Sequence, residues 1–455
     1  MRGPAHSLAS ARDTQAGLTL IELMVAMGLG LIVTVGVVAI FQSTSSSNRA
    51  QTQLARLQEE GRFAVTRMKR DLEMANGLYC SNSGGSAKPV EVSRLYLNGL
   101  RAPMVYSAAM TSDISDLTTR FSATSGSNTY PSDPSAPYSM SSYFFMRGYD
   151  CGLTAASCKP IDPSVVLSGS KGIPPMGKSA GSRVMGTDVI SVRYVDAKLG
   201  WAIAEGGTSI TVDAKGAIDS IAIRPRAGEP PASEFSNDMA MLADCSGAMV
   251  FAVKVAKGTI TPDPRWNYFK PAPPKSSASL KLYDFERGGF QTVTYYVKAV
   301  DSGDGHLTGA LVRRFNGGLS RPLAGGTEEE LVRGIERLDF RYGIQDADGK
   351  VRYVTADVVD AGKGIPCPPG EPNPITTVGC LWRAVSSIEV NLVVSGQNPL
   401  YTLAPGELAY TYGIDGKTTP TAPSKHKIKP SDQGFPEPML RREFTAVVAV
   451  RNFNP

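Results

Sequence analysis

Histidine is scarce: the 455 residues include three, His6, His306 and His426. That leaves little material for imidazole acid–base chemistry or for a histidine-rich metal site. The six cysteines contain no Cys-x-x-Cys pair, so zinc-ribbon and thioredoxin-type readings find no footing. HExxH is missing, and no motif in the head rises above noise as the signature of an enzyme. No cofactor is expected. Charge of one sign is not in excess either. The net charge is +5, and without a basic stripe it does not point to nucleic acid. What is present is the make-up of a folded protein, 42% hydrophobic and 20% charged, long enough for one large or two ordinary domains.

The amino terminus carries most of the information. Residues 1–17, MRGPAHSLASARDTQAG, are polar, and an apolar run of 24 residues from Leu18 to Phe41 follows at once. As a helix that run would span roughly 36 Å, enough to cross a hydrocarbon core of about 30 Å. A secretory signal would place a small-residue cleavage site after the run, and the sequence there, FQSTSSSNRAQTQ, has none. A plain membrane anchor leaves Glu22 unexplained, since a carboxyl that deep in an apolar run is costly unless it has a partner. Cleavage after Gly17 would supply one. The new α-amine of Leu18 would lie about one helical turn from Glu22, and pairing within a chain or between neighbours would set the axial stagger of packed helices.

GLTLIELMVA (residues 17–26) resembles the class III signal of type IV pilins and type II secretion pseudopilins. The resemblance implies a prepilin peptidase that cuts after Gly17 and methylates the amine of Leu18, with Glu22 as the assembly glutamate. Leu18 stands where the family most often carries phenylalanine.

From Ser43 to Asn76 the chain is rich in helix formers. Leu54, Leu57, Gly61, Ala64/Val65, Met68, Leu72 and Ala75 form one apolar stripe, with Arg56, Glu59, Arg62, Lys69 and Asp71 off it. Asn76-Gly77 reads as the stop. Gly28, Gly30 and Gly36 mark either a place where the membrane helix loosens or a close helix–helix contact.

Beyond Tyr79 the pattern turns to short alternating runs, among them Val189–Val195, Thr292–Lys298, Arg337–Ile344, Ser387–Val394 and Phe444–Arg451. In the third, Leu338, Phe340, Tyr342 and Ile344 share one face, and Arg337, Asp339 and Arg341 the other. Residues 302–305 (SGDG) and 346–349 (DADG) read as hairpin turns rather than calcium loops. Glu328, Glu329 and Glu330 read as a solvated helix start. The Ser/Pro-rich stretch 122–139 and the lysines of 424–430 read as exposed loops. The expected fold class is α+β: a long N-terminal helix packed on a large β-rich head. The expected segments are a leader at 1–17, a membrane and filament-core half-helix at 18–41, an amphipathic half at 42–77 and the head at 78–455.

Residues 242–245 (LADC), 248–253 (AMVFAV), 334–344 (GIERLDFRYGI) and 441–452 (RREFTAVVAVRN) resemble PilW-type minor pilins. That resemblance implies a structural subunit, not an enzyme, which helps prime pilus assembly at or near the tip and supports motility or adhesion. It implies as partners other minor pilins, the major pilin, prepilin peptidase, the inner-membrane assembly platform and, before assembly, membrane lipid. It implies a single-pass inner-membrane protein of a Gram-negative bacterium with its head in the periplasm, later on the pilus. A type II secretion pseudopilin and a tip adhesin are the rival readings. An exported head suits disulfides. Cys151 with Cys158, and Cys367 with Cys380, lie close in sequence; by elimination Cys80 would pair with Cys245, and buried free thiols are the alternative.

Overall fold

The computed structural model describes residues 19–77, 86–91, 94–98, 102–110, 124–125, 128–129, 134–165, 173–196, 198–235, 238–245, 247–274, 279–285, 290–316, 327–345, 350–362, 379–401, 403–415 and 417–451. The chain divides into two compact units, residues 1–53 and 54–455. Helix α1 runs from Leu20 to Glu73.

In the first unit, the side chains from Leu20 to Phe41 are exposed and, apart from Glu22 and Thr34, apolar, Leu20 being 77% and Phe41 72% exposed. Such a surface is stable only in lipid or against other apolar helices. A Cβ added at Gly28, Gly30 or Gly36 would meet nothing within 4 Å, so the chain's own packing does not require glycine there.

In the second unit, α1 from Leu54 onward buries Leu57, Gly61, Ala64, Met68 and Leu72, the apolar stripe read from the sequence. Asn76 ends the helical course in the left-handed region (φ 62°) and donates its N–H to the Arg193 carbonyl (3.2 Å). Asparagine tolerates that conformation, and the helix end is thereby tied to a strand.

The head is built on three main sheets. In the first, β1 (Met146–Tyr149), β2 (Val189–Val195), β9 (Phe290–Asp301), β10 (Leu307–Asn316) and β11 (Thr327–Arg333) run antiparallel in the order β11-β10-β9-β2-β1. The second holds β3 (Ser209–Val212), β4 (Ile218–Ala222), β5 (Met239–Ala243), β6 (Ala248–Ala256), β7 (Thr259–Pro262) and β8 (Lys281–Asp284), ordered β3-β4-β7-β6-β5-β8. The third holds β12 (Ile335–Gln345), β13 (Val351–Val354), β14 (Val385–Ser395) and β15 (Arg441–Ala449), ordered β13-β12-β14-β15.

Strand alternation distributes these sheets between two cores. In β5, Met239, Met241 and Ala243 enter the main core, which also receives the α1 stripe. Ala240 and Leu242 enter a second core around Trp201, Ile221, Phe251 and Leu282. The strand is apolar throughout because it lies between both. β2 is buried along its whole length as well. Its polar residues are paired: Ser191 with Thr294 (2.7 Å), and Arg193 with Thr292 (3.1 Å) and the Phe144 carbonyl (3.0 Å).

The expected hairpins form. β9 pairs with β10 and β12 with β13, although residues 346–349 lie outside those described. In the first turn the Asp301 carboxylate accepts the Gly303 N–H (2.8 Å), and Asp304 accepts that of His306 (3.2 Å). The glutamate run corrects a sequence expectation. Glu328, Glu329 and Glu330 do not start a helix; they lie in β11, an edge strand. Arg314 and Arg313 of β10 stand opposite Glu328 and Glu329, and Glu328 also meets Lys298 (2.7 Å). Opposite charges across the ladder favour a strand where the local run alone suggested a helix.

Gly61 allows a close approach of α1 to the sheet: a Cβ there would stand 2.4 Å from the Phe444 ring. Gly61→Leu is therefore expected to destabilise the head, and Gly61→Ala to cost less in a Phe444→Ala background than in the native one. Denaturant midpoints of the four variants check this.

Candidate assembly and anchoring sites

The first site is the start of α1. Thr19 stands at the N-cap and Glu22 three residues into the helix. The Glu22 carboxylate accepts the Thr19 N–H (3.0 Å) and hydroxyl (2.9 Å), while the Glu22 N–H donates to the Thr19 Oγ1 (3.3 Å). This reciprocal capping box satisfies helix N–H groups that otherwise have no partner, and places the negative charge at the positive end of the helix dipole. The Thr-x-x-Glu spacing is itself a sequence signature of such a box. Gly17 and Leu18 lie outside the described residues.

The second site is where α1 joins the head. Asp71, assigned to the solvent side of the helix from the sequence, is buried (3% exposed). Its carboxylate accepts hydrogen bonds from the hydroxyls of Tyr194 on β2 (3.0 Å) and Tyr295 on β9 (2.5 Å). Arg313 on β10 contributes its Nε (2.7 Å) and a second guanidinium nitrogen (3.3 Å). One side chain on the helix thus holds three adjacent strands. Burial alone would push the Asp71 carboxyl up, but the bonds from Arg313 and Tyr295 outweigh it and hold it below its ordinary value. Burial and the Asp71 charge push both tyrosines up; Arg313 is raised too, its bond to Asp71 overcoming desolvation. The helical wheel misplaced Asp71 because it lies at the border of the stripe, and its partners come from residues 123 to 242 positions away.

Two further groups surround these elements. Asp188, at the start of β2, accepts the Cys151 N–H (3.0 Å) and the Phe340 N–H (2.9 Å), joining the first sheet to the third. Burial, then the nearby Asp339 and Asp150, push its carboxyl up; Asp339, buried but bonded to Arg337 (3.1 Å), is pushed up to about 6. Cys151 and Cys158 form a disulfide, as their spacing suggested. Cys245 and Cys380 are also disulfide-bonded, while their expected partners Cys80 and Cys367 lie outside the described residues. No described cysteine is free. In the lysine cluster, Lys425, Lys427 and Lys429 are exposed, but His426 is buried between Asp415 (3.2 Å) and the Thr421 carbonyl (3.0 Å).

With this geometry in view, two family models match the chain. Residues 12–38 match the prokaryotic N-terminal methylation motif, and residues 294–452 match type IV pilus-assembly protein W, PilW. The chain is PilW-like and carries a class III signal. No curated protein and no solved structure matches it. The PilW-like region contains Tyr295 and Arg313 of the clamp, whereas the second core and its sheet precede it. The matched family is structural rather than enzymatic in kind, and the two matches together support a role in type IV pilus assembly.

Asp71→Ala would leave a half-buried guanidinium and two buried hydroxyls without this acceptor. The expected loss is about 3–5 kcal/mol, read from denaturant unfolding. A pH profile tests the other carboxyls. Asp339, Asp188 and Asp150 bind protons more tightly in the fold than in an unfolded chain. Their stabilising contribution is fully present below about pH 4 and is lost as pH rises, through about 6 for Asp339. Asp71 has the opposite sign and weakens the fold only as pH falls through its lowered value. The unfolding temperature should rise from about pH 7.5 to about pH 5, and rise less in Asp339→Asn.

Proposed function

We propose that this chain is a minor pilin of the type IV pilus. Prepilin peptidase cuts between Gly17 and Leu18 and methylates the new amine. The apolar half of α1 holds the subunit in the inner membrane, with the head in the periplasm, until the helix is drawn into the pilus. There the subunit works with other minor pilins in priming assembly at or near the tip, and so supports motility or adhesion.

The observation that carries this reading is the placement of Glu22. A single carboxylate opens a helix whose apolar side chains are bare for the next five turns, within a segment that matches the methylation motif. Thr19 meets part of the carboxylate's hydrogen-bonding capacity, which lowers the cost of keeping it at the membrane. An ionised carboxylate accepts more than the two bonds Thr19 provides, so room remains for an amine. The helix dipole favours the same charge at that end. Its buried clamp then makes the head follow the helix.

Two substitutions test the reading. Gly17→Glu should leave the full-length precursor in the membrane; efficient processing would sink the cleavage site. Glu22→Ala should be processed and inserted normally yet be depleted from sheared pili, and normal incorporation of that variant would contradict the role given to Glu22.

A further inference from the structure

The side of α1 that faces away from the head is as distinctive as the buried one. At 3.6 residues per turn, Arg56, Glu59, Arg62, Phe63, Lys69 and Arg70 fall within an arc of roughly 140° opposite the buried stripe. All six are exposed. Phe63 stands 51% exposed, midway along the length of this face between Arg56 and Arg70. Phenylalanine is a mediocre helix former, so propensity gives no reason for it at a solvent position. The exposed charges of this face are four cations against one anion, a net of +3. The half-buried Glu73 in the same arc pairs with Lys69 (3.6 Å) and with Arg451 (2.7 Å), and Lys69 alone of the six has an ion-pair partner. Arg56, Arg62 and Arg70 make no hydrogen bond or ion pair among the described residues. Arg56, Phe63 and Arg70 recur every seven residues, the spacing of a seam between two helices.

We infer that this face docks an acidic-faced helix of a different prepilin-type subunit, with Phe63 as the apolar anchor. The inference rests on the pilin reading and deepens it by naming the kind of neighbour. Charge decides the occupant. Apposing this face with its own copy would bring Arg56, Arg62 and Arg70 against one another, and like charges at an interface are strongly disfavoured. A helix with carboxylates at the facing positions pairs with the same residues and covers Phe63. The surface therefore selects a hetero-neighbour and keeps a second copy away. A basic face with one aromatic also has the chemistry to lie on anionic lipid, which the experiment separates.

The test places a photoreactive benzoyl-phenylalanine at position 63 of the full chain, in cells that carry the whole assembly system. Irradiation should yield an adduct with another prepilin-type subunit, identified by mass. An adduct with a second copy, an adduct with lipid, or no adduct would overturn the inference. In parallel, Arg56→Glu with Arg70→Glu should cut incorporation into sheared pili by about tenfold or more. Acid-to-arginine changes in the cross-linked neighbour should restore it. Unchanged incorporation of the double variant would also overturn the proposal, and an unchanged unfolding midpoint shows that the head is intact. If the chain is processed and reaches pili but gives no adduct, the docking surface alone fails; if the precursor is never processed, the pilin reading fails with it.

Discussion

The head depends on a carboxylate buried where a helix meets a sheet. Asp71 accepts four hydrogen bonds from three side chains on three neighbouring strands. An ion pair of this kind adds little net stability compared with well-packed apolar groups, but breaking it is expensive, because its partners then lose the acceptor on which they converge. Its value is in position. Apolar residues such as Leu57, Met68 and Leu72 would tolerate some sliding of the helix along the sheet, whereas a four-bond clamp is satisfied in one register only. Gly61 against Phe444 adds a steric stop at the other end of the contact.

This constraint bears on assembly. On the function proposed above, a subunit pulled by its apolar half would carry the head with it, and a register error between helix and head would misplace the surfaces the head presents. Asn76, turned into the left-handed region and bonded to β2, closes the contact just beyond the clamp. The clamp lies partly inside the PilW-like region, through Tyr295 and Arg313, and partly outside it, through α1 and Tyr194. The separate sheet with its own core, built around Trp201, Phe251 and Leu282, also faces the main core through Met241 of β5, Val250 of β6 and Tyr283 of β8, so it is bound to the head by alternation along these strands.

Much of the architecture was legible without coordinates. The apolar stripe from Leu57 to Leu72, the helix stop at Asn76, the strand Val189–Val195 and the β9–β10 hairpin follow from local periodicity and turn chemistry, which depend on near neighbours. The misreadings share one cause. Glu328 to Glu330 resemble a helix start until Arg313 and Arg314 stand across the ladder from them, and Asp71 resembles a solvent residue until Tyr194, Tyr295 and Arg313 converge on it. Charged side chains take their environment from partners far away in the chain.

The sequence by itself determined that an apolar helix with one early carboxylate precedes a β-rich head, because hydrophobic run length, strand alternation and a lone ionisable group in an apolar segment are local properties. Tertiary structure alone decided which polar groups are buried and what satisfies them. The main-chain path brings donors more than a hundred residues distant to one carboxylate, and nothing in the spacing of Asp71 among its neighbours encodes where that path returns.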